Sequence, residues 1–218
     1  MERVAAVFGS TGLVGTNLIA LLDDNKSYRE VYAFRRNANV VNPHKKVKLL
    51  EFDKSFTIAP NTDDVFICLG TTMKKAGSKG AFRAVDFDLV VEIAHRAHLA
   101  GVKRIVVISS IGANPKAGNF YLRTKGEMEE ELKKFNFELI AFVRPSILLG
   151  KRVEFRLGES LGIWFFKAFG FIFVGPFRRY RGIDASDVAK AMVQLALTAK
   201  GVITVESEVL KQIADVYQ

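Results

Sequence analysis

The chain has 218 residues, 49% of them hydrophobic, and a formal net charge of +9, so it can bury one good core with a small appendage. Its single cysteine, Cys68, excludes a disulfide framework and a cysteine-based zinc site and fits a reducing compartment, read here as the cytoplasm. The basic residues fall in scattered pairs such as Arg35-Arg36 and Lys133-Lys134 without interleaved aromatic platforms, which argues against specific nucleic-acid binding.

Arg3 to Phe8 reads as a buried strand running into Gly9-Ser10-Thr11-Gly12-Leu13-Val14-Gly15, with an amphipathic helix following at 13–23. The apolar stretch is too short for a signal peptide and lacks a cleavage-type ending. Strand, glycine trio and helix in this order form a dinucleotide-binding turn. Gly9 permits the tight turn, Gly12 lets backbone approach a pyrophosphate, and Gly15 allows the helix to pack closely on the strand. The helix opening presents free N–H groups to anionic oxygens. The second strand, 30–35, ends in Arg35-Arg36 where an acid would bind the ribose hydroxyls of NAD; arginines there accommodate the 2′-phosphate of NADP(H).

Further strands are predicted at 46–52, 64–69, 103–109 and 137–143, and helices at 79–100 and 120–135. Val85, Leu89, Ile93 and Ala97 recur at four-residue steps along the first of these helices and should share one face. The alternation predicts an α/β, Rossmann-type doubly wound parallel sheet, whose right-handed crossovers bring Gly9, Arg35, Gly70 and Ser109 to one edge. Cys68 sits in the apolar run Val65 to Leu69 as a buried strand thiol. His44, His95 and His98 have no companion ligands that would make a metal site.

Ser109-Ser110 end the fifth predicted strand, and Tyr121 and Lys125 follow in Tyr-x-x-x-Lys spacing, one helical turn apart and on one face. A phenol with a pKa near ~10 is a poor proton donor or acceptor at neutral pH unless something stabilises its anion. An ammonium one turn away does that, and a serine hydroxyl adds a hydrogen bond.

Beyond Val143 the pattern changes, because Pro145 in Arg144-Pro145-Ser146 has no N–H to donate and turns the strand out into a loop. Within a single domain spanning 1–218, the segment 147–185 reads as a small substrate-side insertion or lid. Its stretch from Gly158 to Phe177 is rich in Phe and Gly, is interrupted by Lys167, and is too short to be a transmembrane segment. Three readings stand: a helix covering the substrate crevice, a homodimer contact through 160–177, or a membrane-surface patch. A helix over Asp187 to Ala199 capped by Asp184 or Ser186, a strand at Val202 to Val205 and a short terminal helix complete the chain.

These motifs, with Cys68-Leu69-Gly70-Thr71, Asn119-Phe120-Tyr121-x-x-x-Lys125-Gly126-Glu127 and Arg144-Pro145, resemble the atypical and extended short-chain dehydrogenase/reductase superfamily. More narrowly, they resemble its Tat-interacting-protein-like branch of NAD(P)H-binding oxidoreductases. The resemblance implies NADP(H) and hydride transfer to or from a carbonyl or alcohol, small or apolar to judge from the aromatic stretch. It makes Tyr121 the general acid/base, Lys125 the residue on the nicotinamide ribose, and Ser110 or Ser109, with Ser110 preferred, the group that polarises the carbonyl. It assigns Thr11, Gly12, Leu13 and Val14 to the pyrophosphate, Arg35 and Arg36 to the 2′-phosphate, and Leu69 and Gly70 to the adenine-ribose side, with Thr71 a further cofactor contact. Asp53 would meet the adenine amino group, the backbone of Pro145 and Ser146 the nicotinamide, and Arg156 is a further candidate contact. Asp86 stands where the superfamily often has Asn. The competing reading is an NADPH-binding regulatory or scaffold protein with little catalysis. A sugar-nucleotide epimerase would need a larger carboxyl-terminal part than the about seventy residues after Arg144.

Overall fold

Runs of β-branched and apolar residues that are buried on both faces build the centre of the fold. The computed structural model describes residues 2–150 and 182–217. Strands β1 (Arg3–Phe8), β2 (Tyr28–Arg35), β3 (Val47–Glu51), β4 (Asp64–Ile67), β5 (Arg104–Ile108), β6 (Leu139–Arg144) and β9 (Gly201–Glu206) form one sheet in the order β3-β2-β1-β4-β5-β6-β9. All neighbouring strands pair in parallel. The order reverses between β1 and β4, which opens a crevice at their carboxyl ends, the usual ligand position in such sheets.

Period-two alternation splits each central strand between two cores. Ala5, Val7, Val31, Ala33, Phe66 and Val106 pack with helices α1 (Leu13–Asp24) and α6 (Ala185–Thr198) on one face. Ala6, Phe8, Val65, Ile67, Ile105 and Val107 pack with α4 (Leu89–Leu99) and α5 (Phe120–Leu132) on the other. Short helices α2 (Met73–Ala76) and α3 (Lys79–Arg83) follow β4, and α7 (Ser207–Asp215) ends the fold. Asp184 is the N-cap residue of α6 by position, without a side-chain cap hydrogen bond.

The single helix predicted over 79–100 is interrupted. A π turn at Ala84–Asp88 separates α3 from α4. The fully buried positions are Phe82, Asp86, Val90, Ile93, Ala94 and Ala97, while Val85 and Leu89 are only half-buried. A wider turn rotates the residues before it relative to those after it. Ile93 and Ala97 therefore face inward as their spacing predicts, but Asp86 takes the inward place expected for Val85.

The strands β7 (Leu148–Leu149) and β8 (Ile183–Asp184) pair in parallel and clamp together the two ends of the predicted insertion. Residues 151–181, including Arg156 and the aromatic segment 160–177, lie outside the described residues.

At the opposite edge from the crevice, Asp64 opens β4 with no exposed surface. Its carboxylate accepts from the Tyr28 hydroxyl at 2.7 Å, Arg3 Nη1 at 3.3 Å and Arg104 Nη1 at 3.2 Å. Burial pushes this carboxyl up, against the pull of the phenol and both guanidiniums. Asp64→Ala would leave the buried Tyr28 hydroxyl without its acceptor and remove the carboxylate that Arg3 and Arg104 share, and we expect a loss of about 3 kcal/mol in urea-denaturation stability. A loss below about 1 kcal/mol would mean that water reaches the arginines and replaces the carboxylate.

Candidate active site

The glycine loop is shaped by contact with the end of β4. Gly9 has φ +80°, and a Cβ there would stand 2.7 Å from the Cys68 carbonyl carbon, so the turn lies flush against the neighbouring strand and only glycine fits. A Cβ on Gly15 would come within 2.2 Å of Gly9 O, which explains how closely α1 meets the turn. Gly12 is exposed and is the N-cap residue of α1. That helix has no side-chain cap and no acid in its first turn, so its positive end opens outward between Thr11, Leu13 and Val14. Ser10 turns inward and donates to Phe34 O at 2.9 Å, tying the loop to β2.

Arg35, half-buried at the end of β2, lines a cleft of about 260 Å³ with Ser10, Thr11, Asn42 and His44, and its buried Nε has no hydrogen-bond partner. Arg36 is exposed. Sequence reasoning missed Asn42 and His44; the available signal was the segment 37–44 directly after the arginine pair, which carries three asparagines and a histidine. Asp23 of α1 anchors this loop, accepting from the Lys46 and Lys45 N–H groups at 2.7 and 3.3 Å and meeting His44 Nδ1 at 3.3 Å. This open helix end and basic cleft suit an anionic nucleotide. Asp53 is exposed just past β3, where one carboxylate oxygen accepts both the N–H and the hydroxyl of Ser55 at 2.7 Å.

Tyr121 and Lys125 lie on α5, whose N-cap Asn119 accepts from the Leu122 N–H at 3.2 Å. Tyr121 is half-buried, with its ring 5.5 Å from that of Phe82. Lys125 is 2% exposed and its Nζ lies 2.8 Å from Asp86 Oδ1, an ion pair by distance rather than an aligned hydrogen bond. The same ammonium donates to Ile108 O at 3.4 Å, and Asp86 Oδ2 accepts the Thr71 N–H at 2.9 Å. Leu69, Gly70 and Thr71 thus form the rim between β4 and this pair, with Gly70 exposed. Ser109 is buried and its hydroxyl has no hydrogen-bond partner, whereas Ser110 is half-buried and within 3.4 Å of Ile111 O.

Two further features fix α5. A Cβ on Gly126 would stand 2.2 Å from the Asn114 carbonyl carbon and 2.3 Å from Pro115 N, so the loop from Ser110 crosses the helix at contact distance. Arg144 grips the buried Glu129 with two nitrogens, Nε at 2.9 Å. Beyond it, Pro145 accepts from the Ile111 N–H at 3.2 Å, and the Ser146 N–H donates to Ser207 Oγ at 2.7 Å. Cys68 is half-buried just past β4, and burial pushes its thiol up to about 12. It is no nucleophile at neutral pH. Among the described residues no cluster could hold a metal ion, and no helix is long and apolar enough to cross a membrane.

A seven-stranded parallel sheet with a glycine turn at its switch point defines a Rossmann-type nucleotide-binding fold. The chain belongs to the NAD(P)H-binding family, which matches residues 9–158. It is 31% identical over 201 residues to "Protein FMP52, mitochondrial" of Candida albicans, covering 87% of this chain and 86% of that one. In fold it is similar to the oxidoreductase ylbE from Lactococcus lactis, with TM-score 0.66 and 20% identity over 99% of both chains. It is also similar to a UDP-N-acetylglucosamine 4-epimerase from Methanobrevibacter ruminantium, with TM-score 0.69 and 18% identity over 94% of this chain and 76% of that one. The relative's mitochondrial name overturns the cytoplasmic expectation. That expectation rested on one unpaired thiol, which fits any reducing compartment.

Gly126→Ala should lower the melting stability by about 1–3 kcal/mol, because backbone on the opposing loop has to move. Gly118→Ala in the same loop, where a Cβ meets nothing within 4 Å, should leave stability nearly unchanged; equal effects of the two would show that the loop is not packed on α5. At pH 8 the folded protein should react with iodoacetamide far more slowly than the urea-unfolded chain, whose single cysteine makes the assay unambiguous. Equal rates would mean that the Cys68 thiol is not held in its protonated form.

Proposed function

We propose that the protein is an NADPH-dependent oxidoreductase that transfers hydride to or from a small or apolar carbonyl or alcohol. The observation that carries this reading is the buried Lys125 ammonium one turn from a half-buried Tyr121, at the sheet edge where the glycine turn opens. Arg35 beside Ser10 and Thr11, with no acid in its place, supports NADPH over NADH. The open end of α1 supports binding of the pyrophosphate.

The bound nicotinamide supplies or takes up hydride. Tyr121 gives the proton to the substrate oxygen in reduction and takes it in oxidation. Lys125 stabilises the phenolate and donates to the ribose, and Ser110, the serine nearer solvent, donates to the substrate oxygen as negative charge develops there. Ser109, buried beneath it, supports that turn of backbone through its N–H bond to Val143 O at 2.7 Å. In this reading Arg36 joins Arg35 at the 2′-phosphate, Asp53 meets the adenine amino group, and the backbone at Pro145 and Ser146 lies against the nicotinamide. The relative's name supports a mitochondrial setting.

Fluorescence titration should give an affinity for NADPH at least about tenfold above that for NADH, and Arg35→Asp should reverse the order. Equal affinities would remove the NADPH assignment. Across a panel of aldehydes and ketones, Tyr121→Phe should lower kcat by about 10²–10⁴ while cofactor Kd stays within about twofold. Unchanged turnover would take Tyr121 out of the mechanism.

A further inference from the structure

Lys125 does not stand alone at the site. The segment from α3 through the π turn lies along α5 so that Phe82 meets Tyr121 and, four residues on in both elements, Asp86 meets Lys125. Asp86 is 1% exposed, and burying a carboxylate is costly unless it is paired and hydrogen-bonded. It has both: one oxygen lies against Lys125 Nζ at 2.8 Å, and the other accepts the Thr71 N–H at 2.9 Å. The π turn delivers this acid inward at the point where the ends of β4 and β5 approach α5. π turns of this kind recur at functional sites because they re-aim one residue without breaking the helix.

Resting on the oxidoreductase reading, we propose that Asp86 is the positioning residue for Lys125, and that it couples the lysine to the Leu69–Thr71 rim. An ammonium has three N–H bonds on a flexible four-carbon stem, and unrestrained it has no preferred direction. Here the ion pair with Asp86 and the bond to Ile108 O hold the ammonium from two sides, so that a ligand hydroxyl at the crevice would meet a donor of fixed position. The Asp86 carboxylate is simultaneously bonded to Thr71, so a nucleotide that seats against the rim acts on the same anion that aims the lysine. A role through Lys125 differs from a purely architectural one in a measurable way. If Asp86 works only by aiming Lys125, its removal costs nothing once the lysine is gone.

The test is a double-mutant cycle on NADPH affinity with the full chain, using Asp86→Asn, Lys125→Met and the double variant. Asp86→Asn keeps a carbonyl oxygen for the Thr71 N–H and removes the charge. We expect it to weaken NADPH about tenfold in the otherwise unaltered protein, and less than about twofold in the Lys125→Met background. An equal loss in both backgrounds, or no loss in either, overturns the proposal. Failure of the unaltered protein to bind NADPH would sink the oxidoreductase reading itself, a result distinct from the other two. If Asp86→Asn alone does not fold, the apolar pair Asp86→Leu with Lys125→Met replaces it. Affinity equal to that of Lys125→Met supports the proposal, and weaker binding overturns it.

Discussion

A lysine ammonium that is 2% exposed is the constraint on which the organisation of the site depends. Such a charge cannot sit among apolar side chains without a partner. The partner is Asp86, and bringing it inward requires the π turn between α3 and α4. The same turn carries Phe82 onto the Tyr121 ring and Arg83 onto Phe87 and Glu127, so the whole flank of α5 is occupied by one interrupted helix. From the other side, Gly126 lets the loop after β5 come to contact distance, and Arg144 holds Glu129 one turn beyond Lys125. The position of α5 against the sheet edge is therefore set at three successive places along its length.

The glycine turn meets that constraint from the other half of the crevice. Because Gly9 lies flush on the Cys68 carbonyl, the end of β4 is pinned between the turn and the Thr71–Asp86 bond. The rim residues Leu69 to Thr71 thus connect the phosphate side of the crevice to the lysine side. Parallel pairing of β1 with both β2 and β4 makes this geometry unavoidable, since all the strands deliver their carboxyl ends to the same edge.

Much of this architecture is legible in the sequence. β-branched runs and glycine spacing place β1, the turn and α1 within a residue or two, and the Tyr-x-x-x-Lys spacing places both side chains on one face of α5. Helical periodicity fails at 79–100 for a specific reason. It assumes 3.6 residues per turn, so it turns Val85 inward and leaves Asp86 outside, whereas the π turn admits the acid. An inward acid is not an apolar signal, and only Lys125, far along the chain, explains it. Likewise, Asp64 between Arg3, Tyr28 and Arg104 joins four segments distant in sequence, and nothing local announces it. His44 and Asn42 enter the arginine cleft because Asp23 folds their loop back on α1, again a contact between segments that are far apart in the chain.

The same physics bears on the choice between an enzyme and a scaffold that merely keeps the fold. A buried ion pair is a weak source of stability: replacing one with well-packed apolar side chains is often neutral or stabilising by about 1–4 kcal/mol. A chain that needed only the Rossmann frame would hold α5 more economically with another leucine against Phe82 and Val90. This chain instead keeps an ammonium and a carboxylate at the crevice, spends a π turn to join them, and leaves the Ser109 hydroxyl buried without a partner beside them. An ammonium, a carboxylate and an unpartnered serine hydroxyl gathered at one crevice fit a site under a chemical demand. Under the proposed function the glycine turn, the helix end and Arg35 meet the nucleotide from one side of the rim, and Lys125, aimed by Asp86, meets its ribose from the other.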